Sequence, residues 1–458
     1  MQKYEKFEPL KVFLEICAIP HASFKTQALK EWIIKEAQKF GAKVQCDTIG
    51  NVLCSKGTPK ICLQGHYDMV YVGESAEFEV KPKFKKSQNK DFLCAEDSSL
   101  GADNGAALAC MLLALRDCIN LECLFTIDEE VGMLGARDIA LPLLSPYMLN
   151  CDSEEIDELV CSCAGGYDLE CKICMESFEI PQDCELVEIY TKGFKGGHSG
   201  IEIHKKIPNA ILELAKVAKN LVDNGAFIVE FSGGEKRNSI PVNAMLRVAI
   251  PQPKYAQCKD ILKKATQQPL KDSAHFALST FEARNNKYFN ADKILEAILN
   301  LQNGVIVSSD NAPILSSNLG ILRQNIENEK VQINFVVMGR GNQESLMQNN
   351  ITQEKARLET LGFDVKLSDY YAPWEKEESL LLTSVWEVMQ EQNPKVELKS
   401  IHAGLECGIL KQKYPKVSFA SIGPSISHPH SVNEEMDLES FVRFDRILKE
   451  VLKRFQAI

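Results

Sequence analysis

The sequence predicts an α/β protein of two domains, in which an α+β segment interrupts an α/β domain. Three observations carry that expectation. A chain of 458 residues, 45% hydrophobic and 25% charged, has the composition of a globular protein and exceeds one ordinary core. Strand-like apolar runs alternate with helical runs through the first third, the pattern of a sheet covered by helices. The pattern changes character near residue 185 and returns near residue 375, so the chain leaves one core and re-enters it once. The division expected is 1–184 and 375–458 for the α/β domain and 185–374 for the insert.

The elements follow in order. LKEWIIKEAQKF, residues 29–40, spaces its apolar residues as an amphipathic helix does. KICLQGHYDMV reads as a strand with polar residues at its end, and ALACMLLALRD, residues 107–117, as a buried helix. LECLFTIDEEVG supplies the next strand and loop, and YMLNCDSEE, residues 147–155, repeats the arrangement. Three acidic or histidine-bearing segments thus follow apolar strands, where α/β sheets place their sites. In the insert, ELVEIYTKGFKGGHSGIEI, NAILELAKVAKNLVD, VNAMLRVAI, KVQINFVVMG and ITQEKARLETLGFDVKLSDY alternate strand and helix. The last part returns through helical SLLLTSVWEVMQEQ, strand-like KVSFASIG and the terminal helix FVRFDRILKEVLKRF.

Charge and cysteine content narrow the function classes. A net charge of −11 opposes nucleic acids and anionic membranes, and KPKFKKSQNK, residues 81–90, lacks the basic and aromatic interleaving of a nucleic-acid groove. No signal core and no run of about 18 apolar residues is present, so a cytoplasmic protein without a membrane span is expected. The 16 cysteines read as reduced thiols at apolar positions. Cys161 with Cys163 and Cys171 with Cys174 have the spacing of strand positions as well as that of a thiolate pair.

Several polar residues have metal-site chemistry. His66 and Asp68 of GHYDM suit an imidazole ligand and the carboxylate that orients it, or a surface pair. Asp103 of LGADNGAAL stands at an element boundary, where a carboxylate either bridges two cations or caps the helix. Of Glu129 and Glu130, one can bind metal while the other takes a proton from water. Asp152 of NCDSEE and His430 of GPSISHPHS follow apolar strands. There is no P-loop and no GxSxG nucleophile, which leaves water as the nucleophile.

GHYDM, LGADNG, DEEVGMLGA, NCDSEE, GFKGGHSG, RNSIP, HAGLECG and GPSISHPHS occur in an order that resembles the cocatalytic zinc metallopeptidases, a family that includes aminoacyl-histidine dipeptidases, peptidase V, carboxypeptidase G and aminoacylases. GGHSG, HAGLECG and the final PHS favour the aminoacyl-histidine dipeptidase branch. The resemblance implies a catalytic α/β domain with an inserted lid and dimerisation domain, two Zn2+ per subunit replaceable by Mn2+ or Co2+, and a homodimer. One zinc would take His66 and Asp152, the other Glu130 and His430, with Asp103 bridging. Asp68 would orient His66, Glu129 would be the general acid/base, and His198 would approach the scissile carbonyl. Asn238, Arg340, Gly404 and Glu406 would contact substrate. The activity implied is hydrolysis of dipeptides, including Xaa-His substrates such as β-alanyl-histidine; a related di- or tripeptidase, carboxypeptidase or N-acyl-amino-acid hydrolase, and a non-catalytic peptide-binding protein, are the alternatives. Two departures stand out: Asp97 occupies a position that is generally glycine in close relatives, and His428 adds an imidazole before His430.

Overall fold

The structure, a computed structural model, describes residues 2–73, 77–267, 269–282, 286–309, 312–327 and 330–456. It divides into two units: Met1–Cys163, Trp374–Ile401 and Leu405–Ile458 form the first, Ala164–Pro373 and His402–Gly404 the second. The first boundary thus lies at Cys163, about twenty residues before the one read from sequence. Strand Gly165–Glu179 is responsible, because it pairs along its length with Lys330–Gly341 and with Asp364–Tyr371 of the second unit. In sequence it runs on from strand Glu158–Cys163 with only Ala164 between them, so no turn marks the passage.

The first unit is built on a mixed sheet. Its strands run, edge to edge, Lys43–Cys46, Val52–Lys56, Leu121–Thr126, Ile61–His66, Tyr147–Asn150, Ser418–Ser421, Glu158–Cys163 and Glu397–Ile401. Ile61–His66 pairs in parallel with both neighbours, and Ser418–Ser421 pairs in parallel with Tyr147–Asn150. Strands covered on both faces need little alternation, and ICLQGH and LECLFT are accordingly buried at every residue. Helix Ala102–Asp117 packs on two of these strands and helix Leu380–Gln392 on Ser418–Ser421. Phe13, Ile33, Leu63, Phe125, Leu382, Phe441 and Phe444 are among the side chains of this core.

The second unit has its own core, which includes Leu169, Ile189, Ile211, Leu214, Val248, Leu319 and Phe335, together with Leu295 and Ile298 of helix Asp292–Leu299. Its strands, among the described residues, form a largely antiparallel sheet in the order His275–Thr280, Cys184–Lys192, Ala244–Pro251, Phe227–Gly233, Lys287–Phe289, Gly165–Glu179, Lys330–Gly341, Ala312–Glu327 and Gly304–Ser309. Helix Ala210–Asp223 packs on this sheet, its first turn capped by Asn209, whose Oδ1 accepts from Ile211 N at 3.0 Å and Leu212 N at 3.2 Å.

All sixteen cysteines are free. Cys161, Cys163 and Cys171 are buried, as apolar strand positions require, whereas Cys174 is exposed. No helix among the described residues is long and apolar enough to cross a membrane.

Candidate metal centre

The first unit gathers its polar residues where parallel strands end. His66 is the last residue of Ile61–His66, Glu129 and Glu130 follow Leu121–Thr126, and Asp152 follows Tyr147–Asn150. These strands are mutually parallel, so their carboxyl ends lie along one edge. His430 comes from the loop between the short strands Ile426–Ser427 and Glu435–Asp437, and Asp103 from the first turn of helix Ala102–Asp117.

Asp103 is central. Its Oδ1 lies 3.2 Å from His66 Nε2 and its Oδ2 lies 3.2 Å from His430 Nε2. His66 Nε2 is also 3.2 Å from Asp152 Oδ1, and His430 Nε2 is 2.9 Å from Glu130 Oε2. Donor atoms of His66, Glu129 and Glu130 come within 4.8 Å of one another. The capping role open to Asp103 is not the one it has, because the helix start carries no side-chain cap at Gly101 and the Asp103 carboxylate faces the two imidazoles.

Asp68 holds more than His66. The imidazole Nδ1 lies 3.0 Å from the Asp68 main-chain oxygen and 3.5 Å from its carboxylate. That carboxylate accepts from Ser23 Oγ at 2.8 Å, Glu129 N at 2.9 Å and Glu130 N at 3.4 Å, which fixes the turn bearing both glutamates.

The crowding shows in the acidities. Burial alone would keep His66 neutral, but Asp152, Asp103 and Asp68 raise its pKa well above the usual value. His430 is likewise opposed by burial and lifted to about 11 by Asp103 and Glu130. Burial pushes Glu129 well above the carboxylate range; His66 opposes this, and Asp152 and Glu130 add to it. Burial and Asp103 carry Glu130 to about 7, and Asp152, also buried, stands at about 6. Four carboxylates and two imidazoles that share protons in this way have the N/O donor chemistry of a divalent-metal site. Glu130 Oε1, buried without a hydrogen-bond partner, is a further unused donor.

Other expected residues belong to the second unit. His198 Nδ1 accepts from Gly200 N at 3.2 Å and Ile201 N at 3.1 Å, so its ring proton resides on Nε2. His198 pairs with Ser239 in a short ribbon, next to exposed Asn238, whose main-chain oxygen accepts from Ser199 N at 2.9 Å. Arg340 is 5% exposed; Nη1 donates to Tyr371 Oη at 3.3 Å, Nε has no partner, and among the described residues no carboxylate is within ion-pair distance of it. A Cβ at Gly404 would lie 2.5 Å from Tyr371 Oη, and one at Gly200 would lie 2.4 Å from the His402 carbonyl, so neither position has room for a side chain.

The model of peptidase family M20/M25/M40 matches residues 62–454. The chain belongs to that family. Among relatives, the cytosol non-specific dipeptidase of Escherichia coli (strain K12) is 29% identical over 479 residues, with 97% of each chain covered. The structure is similar to that of aminoacylhistidine dipeptidase from Vibrio alginolyticus, with a TM-score of 0.79, 28% identity, and 98% and 97% of the two chains covered. Aminopeptidase PepT from Bacillus cereus ATCC 10987, at 14% identity and a TM-score of 0.63 over 98% of each chain, shares the fold.

In this M20/M25/M40 peptidase, the expected substrate contact Glu406 stands close enough to the donor cluster for His66 and Asp152 to act on its carboxyl and for it to act on Glu129. Glu406 is fully buried in the first unit, where Oε2 accepts from Gln64 Nε2 and Thr126 Oγ1, both at 2.6 Å. It opens helix Glu406–Lys413, and burial, opposed by Thr126 and His66 and aided by Asp152, carries its pKa to about 7. Asn104 and Glu434 escaped the sequence reading. Asn104 Nδ2 donates to Asp152 Oδ1 at 2.8 Å and to the Cys151 carbonyl at 2.9 Å, holding Asp152 in place. Its position beside Asp103 was the available signal; Glu434, beside Glu435, offered none. His428 is exposed and outside the donor groups, and Asp97 adopts φ 56°, the left-handed conformation that glycine takes most easily.

Proposed function

We propose that this peptidase is a dipeptidase that holds two divalent metal ions between His66, Asp103, Glu130, Asp152 and His430. The observation that supports the reading is Asp103, whose two oxygens each lie 3.2 Å from a different histidine, as a bridging carboxylate would. His66 and Asp152 serve one ion, Glu130 and His430 the other. The N/O donor set suits zinc and also Mn2+ or Co2+. Bound ions supply Lewis acidity, lowering the pKa of water and polarising a peptide carbonyl.

Glu129 moves the proton. Its carboxylate, beside His66 and Glu130, accepts a proton from the attacking water and returns it to the amine as the C–N bond breaks. Asp68 keeps Glu129 in position through the main-chain bond at 2.9 Å. His198, with its proton on Nε2, donates to the carbonyl oxygen, and Arg340 receives the substrate carboxylate. The dipeptidase names of the Escherichia coli and Vibrio alginolyticus relatives support a dipeptide substrate, with Xaa-His peptides the first to try.

The test pairs substrate and variant. Metal-loaded protein should release free histidine from unblocked Xaa-His dipeptides and leave N-acylated analogues intact; the reverse preference would reject the reading. E129Q should lower kcat by roughly 10²- to 10⁴-fold while retaining its metal. Near-normal turnover by metal-loaded E129Q would remove Glu129 from the proton transfer.

A further inference from the structure

The side chain of Asp103 is held by His66 and His430, and its main chain by a residue that the reaction does not use. Glu434 is 2% exposed and directs both carboxylate oxygens at the start of helix Ala102–Asp117. Oε2 accepts from Leu100 N at 2.7 Å and Gly101 N at 3.0 Å, and Oε1 from Ala102 N at 2.8 Å and Asp103 N at 3.3 Å. Those of Gly101, Ala102 and Asp103 are N–H groups that a helix start leaves unpaired, Leu100 stands just before it, and the helix dipole favours a carboxylate there.

Glu434 follows His430 by four residues on one loop. The loop is tied internally by Glu434 N to the Ser431 carbonyl at 3.2 Å and by Ser431 Oγ to the His428 carbonyl at 2.8 Å. One short segment therefore grips Asp103 twice, on its carboxylate through His430 and on its amide through Glu434. Among the described residues, His66 and Asp152 have no such double link to the loop.

We infer that Glu434 is a positioning residue that sets the separation of Asp103 and His430, and with it the affinity of the cation site formed by Asp103, Glu130 and His430. The inference rests on the metal-centre reading. Removing a group that orients ligands typically weakens metal binding by roughly 10- to 100-fold.

The experiment compares the full-length wild-type protein with E434A and E434Q, each stripped of metal and titrated with Zn2+ by calorimetry, with bound metal counted by elemental analysis and folding followed by circular dichroism. Wild type should bind two ions. E434A should weaken the site that includes His430 roughly 10- to 100-fold and the site of His66 and Asp152, which shares Asp103 but not the loop, by clearly less, and E434Q, which retains one acceptor oxygen, should fall between. Activity of E434A should return with excess Zn2+. Wild-type affinities at both sites in E434A, equal weakening of both, or failure of both variants to fold would each overturn the inference. Absence of binding by the wild-type protein would instead overturn the metal centre itself.

Discussion

A buried guanidinium without a counter-ion is costly, and Arg340 in the second unit has none among the described residues. A ligand carboxylate would relieve that cost, and hydrogen bonds to charged groups are worth about 1.5–3 kcal/mol. R340A should therefore raise KM roughly 10- to 150-fold with a smaller change in kcat; an unchanged KM would place the substrate carboxylate elsewhere. His402 is a second test at this scale. Its Nε2 meets Ser316 Oγ at 2.7 Å and its Nδ1 meets Asn342 Oδ1 at 2.5 Å, and burial, helped by Arg340, pushes its pKa down to about 4. The unfolded chain titrates near 6.5 and so holds a proton there that the folded chain lacks. Stability should fall as the pH drops from about 6.5 to about 4, by about 3 kcal/mol in all. Denaturation of H402Q across that range should show a shallower slope, and an identical slope would assign the loss to other groups. His66, Asp103, Glu130, Asp152 and His430 were legible as residue types able to ligate a metal, whereas the burial of Glu406 was not, because it depends on which way a helix's first turn faces.

At the scale of elements, helix Leu438–Arg454 shows how sequence and packing divide the work. Its apolar residues recur at helical spacing and bury Phe441, Phe444, Ile447, Leu448 and Val451. Asp437 caps it, its Oδ1 accepting from Glu439 N at 2.9 Å and Ser440 N at 3.2 Å. D437A should cost about 1 kcal/mol in chemical denaturation; no loss would mean that packing alone holds the helix start. The helices expected at 29–40 and 107–117 are observed as Gln27–Lys39 and Ala102–Asp117. The second begins earlier than its apolar run, because Glu434, over 300 residues away in sequence, supplies the cap that Gly101 lacks. Local pattern records which face a helix buries, whereas a cap delivered from another part of the chain leaves no local trace.

For the whole molecule, two cores imply two responses to metal. Without a cation, Asp103, Glu129, Glu130 and Asp152 repel one another inside the first unit. Each ion held at one hundred times its dissociation constant should stabilise that unit by about 2.7 kcal/mol, which corresponds to roughly 5–10 °C in Tm per ion. Scanning calorimetry with and without a chelator should move the first unit's transition and leave the second's in place; no shift would argue against a metal bound to the folded state. The order of the segments that carry candidate metal donors, their position after apolar strands and the presence of an insert were determined by the sequence, because hydrophobic periodicity and side-chain chemistry are local properties. Tertiary structure alone decided that Asp103 stands between His66 and His430, that Glu434 holds its main chain, that Glu406 is buried, and that the chain passes to its second core at Cys163. Each of these depends on contacts between residues far apart in sequence, whose geometry is set only when the sheet and its helices pack.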